Sequence, residues 1–363
     1  MITISKLTVK ELAIFINDTA LADRDILPIS RMRAMSFMAN PRADSSDVVM
    51  YLAYDFDKLV GYRTVLPDIA YIEGVPTKIA WLSGAWVHSD YRRKGISFEL
   101  LNAINDDWGQ RIITSNFAPY AKKVYDKTHN FASIATVKGV RFYLRSIFLK
   151  THSHGRYRFL TTCYTEKFIN LLNFSALFRN FLTMPRGVEL EYFVRPDSEL
   201  SALFEESTGV TFTGRSRMEW NWILRFPWVM SAPLGDRVSS KYFFSTAVPA
   251  FNQYVIKVYK DGDFIGMLHI QHSNSRLTVP YSHFDSENAG IMARIVLLHA
   301  KKLRVAYITS YNPKLILGLK KHRLFFIAIA NRRREYLATN YLANKLKDST
   351  IQFCDGDGDC AFV

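Results

Sequence analysis

Six consecutive residues, Arg92-Arg93-Lys94-Gly95-Ile96-Ser97, have the types and spacing to hold a ligand. A glycine-centred turn at a helix start leaves several backbone N–H groups without helical partners. Those donors and the positive end of the helix dipole form an anion site. Gly95 lets a phosphate come close to the backbone, Ser97 is small enough not to block it, and Arg92, Arg93 and Lys94 supply charge. The chemistry implied is a cradle for a pyrophosphate. A P-loop is excluded, since no Gly-Lys-Ser/Thr follows at the required spacing. A dinucleotide fingerprint is excluded too, since one glycine stands where three are needed. The plain alternative is a solvated basic turn capping an ordinary helix, and the flanking elements weigh against it.

Those elements are a strand before and a helix after. Ile79 to Val87 reads as a strand with Ser83-Gly84 in its middle, which predicts a bulge or a close approach of another backbone. His88-Ser89-Asp90 follows as a turn. Ile96, Leu100, Leu101, Ile104 and Trp108 then share one helix face. Val48 to Tyr54, followed by Leu59-Val60-Gly61-Tyr62, is a hairpin signal, and Tyr254 to Tyr259 leads through Asp261-Gly262-Asp263 into a second one. Ile113-Thr114-Ser115-Asn116 is echoed by Ile308-Thr309-Ser310-Tyr311-Asn312. The helix after each ends near His129-Asn130-Phe131 and His322-Arg323-Leu324-Phe325. Three echoes in register, about 200 residues apart, predict a duplicated α/β unit. Met184-Pro185-Arg186-Gly187 interrupts the chain before a strand at Val188 to Val194, so domains of residues 1–185 and 186–363 are expected. The first reads helix, hairpin, strand, helix, strand, helix, strand, a mixed α/β sheet.

At these residues the sequence resembles the GNAT acetyltransferase superfamily. Its acyl-CoA signature, Gln/Arg-x-x-Gly-x-Gly/Ala after a bulged strand, is matched by Arg92, Gly95 and Ser97, with Ser in the last place. Val87-His88-Ser89-Asp90-Tyr91-Arg92 is similar to the family's Val-x-Pro-x-Tyr-Arg run, with Ser89 where Pro is common. The strand Ile112 to Asn116, leading into Ala118 to Lys127 and then Asn130-Phe131, resembles its Asn-…-Ala-x-x-x-Tyr-x-x-x-Gly-Phe ending, with Asn130 replacing Gly. The resemblance spans roughly residues 2 to 150 and implies a tandem pair of GNAT-like domains. It implies acetyl-CoA or another acyl-CoA as co-substrate, held by Ala85, Val87, Arg92, Arg93, Lys94, Gly95, Ile96, Ser97 and Asn116. Backbone around Ala85 and Val87 would pair with pantetheine as a strand would. It implies Tyr125 as the general acid that protonates the leaving thiolate; a tyrosine packed by its ring is the alternative.

The second half repeats the pattern without the cradle: Asp285 and Glu287 stand where the basic turn belongs and would repel a pyrophosphate. A structural or acceptor-binding role is expected of it, with a small amine acceptor in a cleft between the domains. The 363 residues carry a formal net charge of +14, which attracts anions of several kinds. Lys320-Lys321-His322-Arg323 and Arg332-Arg333-Arg334 are read as solvated surface before nucleic-acid contacts. Cys163, Cys354 and Cys360 give neither a disulfide framework nor a zinc pattern, which suits a reducing cytoplasm. No metal site is expected: His152 and His154 are isolated, and Asp355 to Cys360 lacks the last glutamate of a calcium loop. No signal peptide or membrane span is evident. Thr165 to Leu182 is read as a helix buried between domains, with a membrane-surface helix as the alternative. Competing functions are a non-catalytic CoA- or nucleic-acid-binding protein and an aminoacyl-tRNA-dependent transferase. Glu73, His88 and residues of the second domain, acting directly or through water, are the candidates for the general base.

Overall fold

A computed structural model of the chain describes residues 2–18, 25–115, 117–146, 170, 180–193, 211–232, 241–347, 349 and 351–362. Asn116, His152, His154, Cys163 and most of the Thr165–Leu182 segment lie outside these residues.

Alternation begins earlier than the sequence suggested. Ile2–Thr8 is a strand, β1, whose half-buried Ile2 and Ile4 alternate with exposed neighbours. Of its three apolar residues only Ile2 and Ile4 alternate, and Leu7 breaks the pattern, too little to be distinctive. Thr8 then caps α1 (Val9–Phe15) in a reciprocal pair with Glu11, and Ser30 caps α2 (Arg31–Met38). There follow β2 (Val48–Asp55), β3 (Lys58–Ile72), β4 (Val75–Val87), α3 (Ile96–Trp108), β5 (Ile112–Ser115), α4 (Pro119–Thr128) and β6 (Phe131–Tyr143). Next come β7 (Val188–Phe193), α5 (Arg217–Arg225), β8 (Met230–Ser231), β9 (Ala247–Val248), β10 (Phe251–Lys260), β11 (Asp263–Ser273) and β12 (Arg276–Phe284). The chain continues through α6 (Ala289–Lys302), β13 (Tyr307–Ser310), α7 (Pro313–Lys320), β14 (Ala328–Thr339) and α8 (Asn340–Leu346).

Residues 1–137, 195–249 and 334–363 form one compact unit; residues 138–194 and 250–333 form another. The chain therefore changes unit four times, inside β6, after Val194, after Pro249 and inside β14, rather than once between residues 185 and 186. In the first unit β1 to β4 are antiparallel in sequence order, β5 lies parallel to β4, and the Tyr336–Ala338 stretch of β14 closes the far side of β5. The second unit repeats this arrangement. There β7, β10, β11 and β12 are antiparallel, β13 is parallel to β12, and the Val140–Tyr143 stretch of β6 closes β13. Each unit thus takes its closing strand from a distant part of the sequence.

One face of each sheet is apolar and covered by a helix. In the first unit Tyr51, Ala53, Val65, Ala80 and Leu82 pack against Ile96, Leu100, Leu101, Ile104 and Trp108 of α3, the five residues read as one helix face. In the second, Ile256, Leu268, Ile270 and Val279 pack against Met292, Ile295 and Val296 of α6. Burial on this scale supplies most of the folding drive.

Candidate functional site

The site begins where two parallel strands part. β4 and β5 pair only at Ala80–Ile112 and Trp81–Ile113. Past that point β5 is held by β14, while β4 runs on to Val87 paired only with β3. Among the described residues, no strand covers the β5-facing backbone edge from Leu82 to Val87. A strand edge left without a neighbouring strand is a template for an amide-bearing chain, though here the Ser83 and Val87 carbonyls also accept from Thr64 Oγ1 and Arg92 Nε.

A bulge sits in that edge, at the Ser83-Gly84 pair. Thr64 opposes Ser83 and Arg63 opposes Ala85, so Gly84 has no cross-strand partner. Its φ is +41°, and a Cβ there would lie 2.8 Å from Thr64 Oγ1 and 2.9 Å from Arg33 Nη1. Only glycine meets both demands. The bulge also divides the side chains. Ala85 and Val87 share the α3 face with Arg63, while Ser83 and Trp86 share the opposite face with Thr64 and Tyr62.

The cradle lies just beyond the strand. A single 3-10 turn, Ser89–Tyr91, leads to Arg93 at φ 66° and Gly95 at φ 87°. Gly95 is the N-cap of α3 and carries no side-chain cap. Among the described residues, no acceptor takes the N–H groups of Ile96 and Ser97, so the helix start is an open donor set. Arg92, Arg93 and Lys94 are exposed around it. The turn is anchored by Tyr91, whose hydroxyl donates to Asp55 Oδ2 at 2.8 Å; the Lys94 ammonium stands 4.6 Å over its ring. Close packing fixes the helix: a Cβ on Gly61 of β3 would lie 2.8 Å from Ile96 Cγ2. These residues fit a pyrophosphate. Replacing Arg92 and Arg93 by Ala should weaken CoA binding roughly tenfold or more for each charge-assisted bond lost. The same change at Arg332 and Arg333 should have a smaller effect. Titration calorimetry giving equal losses would mean that a diffuse field attracts the ligand.

Tyr125 of α4 reaches the same bulge from the α3 face. Its side chain is 2% exposed, with ring centroids 5.7 Å from Phe117 and 5.0 Å from Phe131. Its hydroxyl accepts from Nη2 of Arg63, which opposes Ala85 directly across β3 and β4. The ring packing and the polar contact coexist. Arg63 was missed from sequence, although a lone arginine in Leu59-Val60-Gly61-Tyr62-Arg63-Thr64-Val65-Leu66 is a signal that a charge is being buried for a purpose.

The opposite face is also polar and largely buried. Arg33 of α2, 4% exposed, donates through Nη2 to Thr64 Oγ1 at 2.9 Å and to Ser83 Oγ, and through Nη1 to the Tyr242 hydroxyl at 3.1 Å. Ser83 in turn donates to Asp359 Oδ2 at 2.9 Å. Deeper along β3 lies Asp68, 1% exposed. It accepts both terminal nitrogens of Arg215 at 2.9 Å each, Arg42 at 2.7 Å and the Trp81 indole at 3.1 Å. Burial alone would raise the Asp68 pKa, but Arg215 and then Arg42 hold it below the ordinary carboxylate value. Arg42 also donates to Glu219 at 2.9 Å, and Thr213 donates to Asp357 at 2.6 Å. This network ties together the three chain segments of the first unit.

The remaining sequence candidates fall elsewhere. Asn116 lies outside the described residues. Glu73 is exposed in the β3–β4 turn, roughly 30 Å along β4 from the bulge at about 3.3 Å per residue. His88 belongs to the cradle turn, where its Nδ1 accepts the Asp90 N–H at 3.3 Å. Among the described residues, no three His, Cys, Asp or Glu side chains converge on a metal position, and no helix is long and apolar enough to cross a membrane.

Among the described residues, the second unit shows no such opening. Its parallel pair also parts, after Thr278–Thr309, but side chains stitch the gap. Asn312 Nδ2 donates to Ser282 Oγ at 2.9 Å, and Lys314 Nζ donates to the Phe284 carbonyl at 2.9 Å. A Cβ on Gly318 would lie 2.2 Å from the Ala289 carbonyl, so α7 lies directly on the start of α6. Asp285 and Glu287 are exposed before that helix.

Residues 19–131 match the model of the Acetyltransferase (GNAT) family. Among solved structures, a GCN5-related N-acetyltransferase from Anabaena variabilis aligns with a TM-score of 0.52 at 10% identity, over 92% of this chain and 72% of that one. A tandem GNAT protein from the clavulanic acid biosynthesis pathway aligns with a TM-score of 0.50 at 13% identity, over 93% and 98%. N-myristoyltransferase of Saccharomyces cerevisiae with bound myristoyl-CoA aligns with a TM-score of 0.50 at 12% identity, over 93% and 82%. These likenesses are of fold. No curated protein matches the sequence.

Proposed function

We propose that this chain, a GNAT-fold protein whose residues 19–131 match the acetyltransferase family, transfers an acyl group from acyl-CoA to an amine. The observation that carries the reading is the open β4 edge running into the uncapped start of α3. Together they offer an amide-pairing edge and a phosphate cradle in the order that pantetheine and pyrophosphate require. Ala85 and Val87 would pair with pantetheine, and the turn from Arg92 to Ser97 would hold the pyrophosphate.

The chain's own groups then divide the chemistry. Backbone N–H groups freed at the Gly84 bulge would polarise the thioester carbonyl. The amine nitrogen forms its bond to that carbon, the C–S bond breaks, and the thiolate takes a proton from Tyr125. The first unit alone would bind the donor, since the equivalent gap in the second is filled by Asn312, Lys314 and Gly318. A small polar or sugar-like acceptor and acetyl as the acyl group complete the proposal.

Calorimetry with acetyl-CoA should give one site per chain, and added ligand should raise the melting temperature by mass action. Two equal sites, or no binding at millimolar ligand, would contradict the reading. Thiol release from acetyl-CoA with amines, amino sugars and peptides then separates a transferase from a protein that only binds CoA.

A further inference from the structure

Resting on the acyl-transfer reading, we infer that Asp359 is the base that takes the proton from the acceptor amine. Two groups flank the Gly84 bulge from opposite faces of β4. On the α3 face stands the Tyr125 hydroxyl, held by Arg63. On the other face stands the Asp359 carboxylate, brought there by the C-terminal segment and held by Ser83 Oγ at 2.9 Å. A transfer needs an acid on the sulfur side and a base on the nitrogen side of the same carbonyl, and these two side chains are placed to share that work.

The surroundings of Asp359 suit a base rather than a buried anchor. Arg33 donates to Ser83 and Ser83 donates to Oδ2, so one carboxylate oxygen is fixed by a chain of donors. The other oxygen, Oδ1, has only the weak Cys360 Sγ contact at 3.8 Å among the described residues. Asp359 is half-buried, whereas Asp68 is 1% exposed and fully engaged and Asp357 is completely buried. The titratable groups around this C-terminal turn are Arg33 across Ser83, Cys360 alongside, and Asp357, Tyr336 and Arg334 in the core behind it. The Arg33 guanidinium, 4% exposed, has no carboxylate in direct contact among the described residues. Asp359 stands one hydroxyl away from it, through Ser83.

The proton ledger closes. The acceptor ammonium gives one proton to Asp359, which passes it to solvent. The resulting amine attacks, the C–S bond breaks, and the thiolate takes the Tyr125 proton. The nitrogen sheds its second proton as the amide forms, and Tyr125 is reprotonated in turn. One proton is released for each acyl group transferred. Ser83 and Arg33 act as positioning residues, because they touch the base and not the substrate.

The test compares Asp359→Asn with the natural protein in thiol release from acetyl-CoA, using the amine panel and, with water as acceptor, slow hydrolysis. At pH 7 turnover should fall by roughly 10²–10⁴-fold, with CoA affinity by calorimetry unchanged. The deficit should shrink about tenfold per pH unit as the free amine fraction rises, and it should be smallest for hydroxylamine, which is already neutral. Ser83→Ala should lower turnover less and keep the pH profile of the natural protein. An Asp359→Asn deficit constant across pH would mark a structural role and overturn the assignment, as would full activity at pH 7. Bound CoA with no thiol release by the natural protein in any arm would instead overturn the acyl-transfer reading on which the inference stands.

Discussion

Tyr125→Phe should lower turnover by roughly 10²–10⁴-fold, the usual size of a general-acid effect, with CoA affinity changed little. The ring contacts to Phe117 and Phe131 survive the change, so the helix should stay in place. The structure adds a cost that sequence did not suggest. The hydroxyl is the acceptor for Nη2 of Arg63, a residue 6% exposed whose Nε already has no partner among the described residues. Removing that acceptor should cost about 1–3 kcal/mol of stability, the penalty for stranding a buried donor. Turnover therefore has to be measured where the variant is fully folded, with denaturant unfolding run beside it. The turnover deficit should shrink for an acyl donor with a better leaving group, which needs less proton assistance. Full turnover in the folded variant would remove Tyr125 from the chemistry.

Asp68→Asn should be the most damaging of the conservative changes to the fold. The carboxylate is the common partner of Arg42 and Arg215, and all three are buried. Neutralising it removes the carboxylate that Arg215 holds with both terminal nitrogens and one of the two that Arg42 holds, an effect of about 3–5 kcal/mol. The stabilisation has a pH signature. Because the folded pKa lies below the unfolded one, the contribution is complete above the ordinary carboxylate pKa near 4. It is lost as pH falls through the lower, folded-state value. Urea unfolding at pH 7 should thus separate the natural protein from the variant widely, and the two should converge in strong acid. A loss below about 1 kcal/mol at pH 7, the size expected of a surface pair, would show that the cluster is more hydrated than its burial suggests.

What was legible in the sequence was what is local. The cradle and its helix occupy one continuous run, so the Gly95 turn, the Ser83-Gly84 bulge and the apolar face of α3 could each be read from spacing. The duplicated hairpins were legible too, since Asp261-Gly262 announces its turn, and both residues adopt positive φ there. The groups that support the site were not, because their partners are remote. Arg33 meets Tyr242 across 209 residues, and Ser83 meets Asp359 across 276. No periodicity links such pairs. Asp359 was noticed only as part of an acidic tail resembling a calcium loop, a resemblance of composition that says nothing of where the turn docks. Both strands in which the chain passes between units run without interruption, so no turn residues marked those crossings.

That crossing has a consequence for how the molecule is made. β5 ends at Ser115, and its outer edge is filled by Tyr336 to Ala338, more than two hundred residues later. At about 5–20 residues per second of synthesis, the first unit waits on the order of 10–40 s with one side of β5 unpaired. Asp359 is made later still, so the first sheet, and then the turn that docks on Ser83, can be completed only after β14 has been synthesised. During that interval the open edge is sticky, and the chain depends on whatever shields it. An amino-terminal fragment of this protein would inherit that edge permanently.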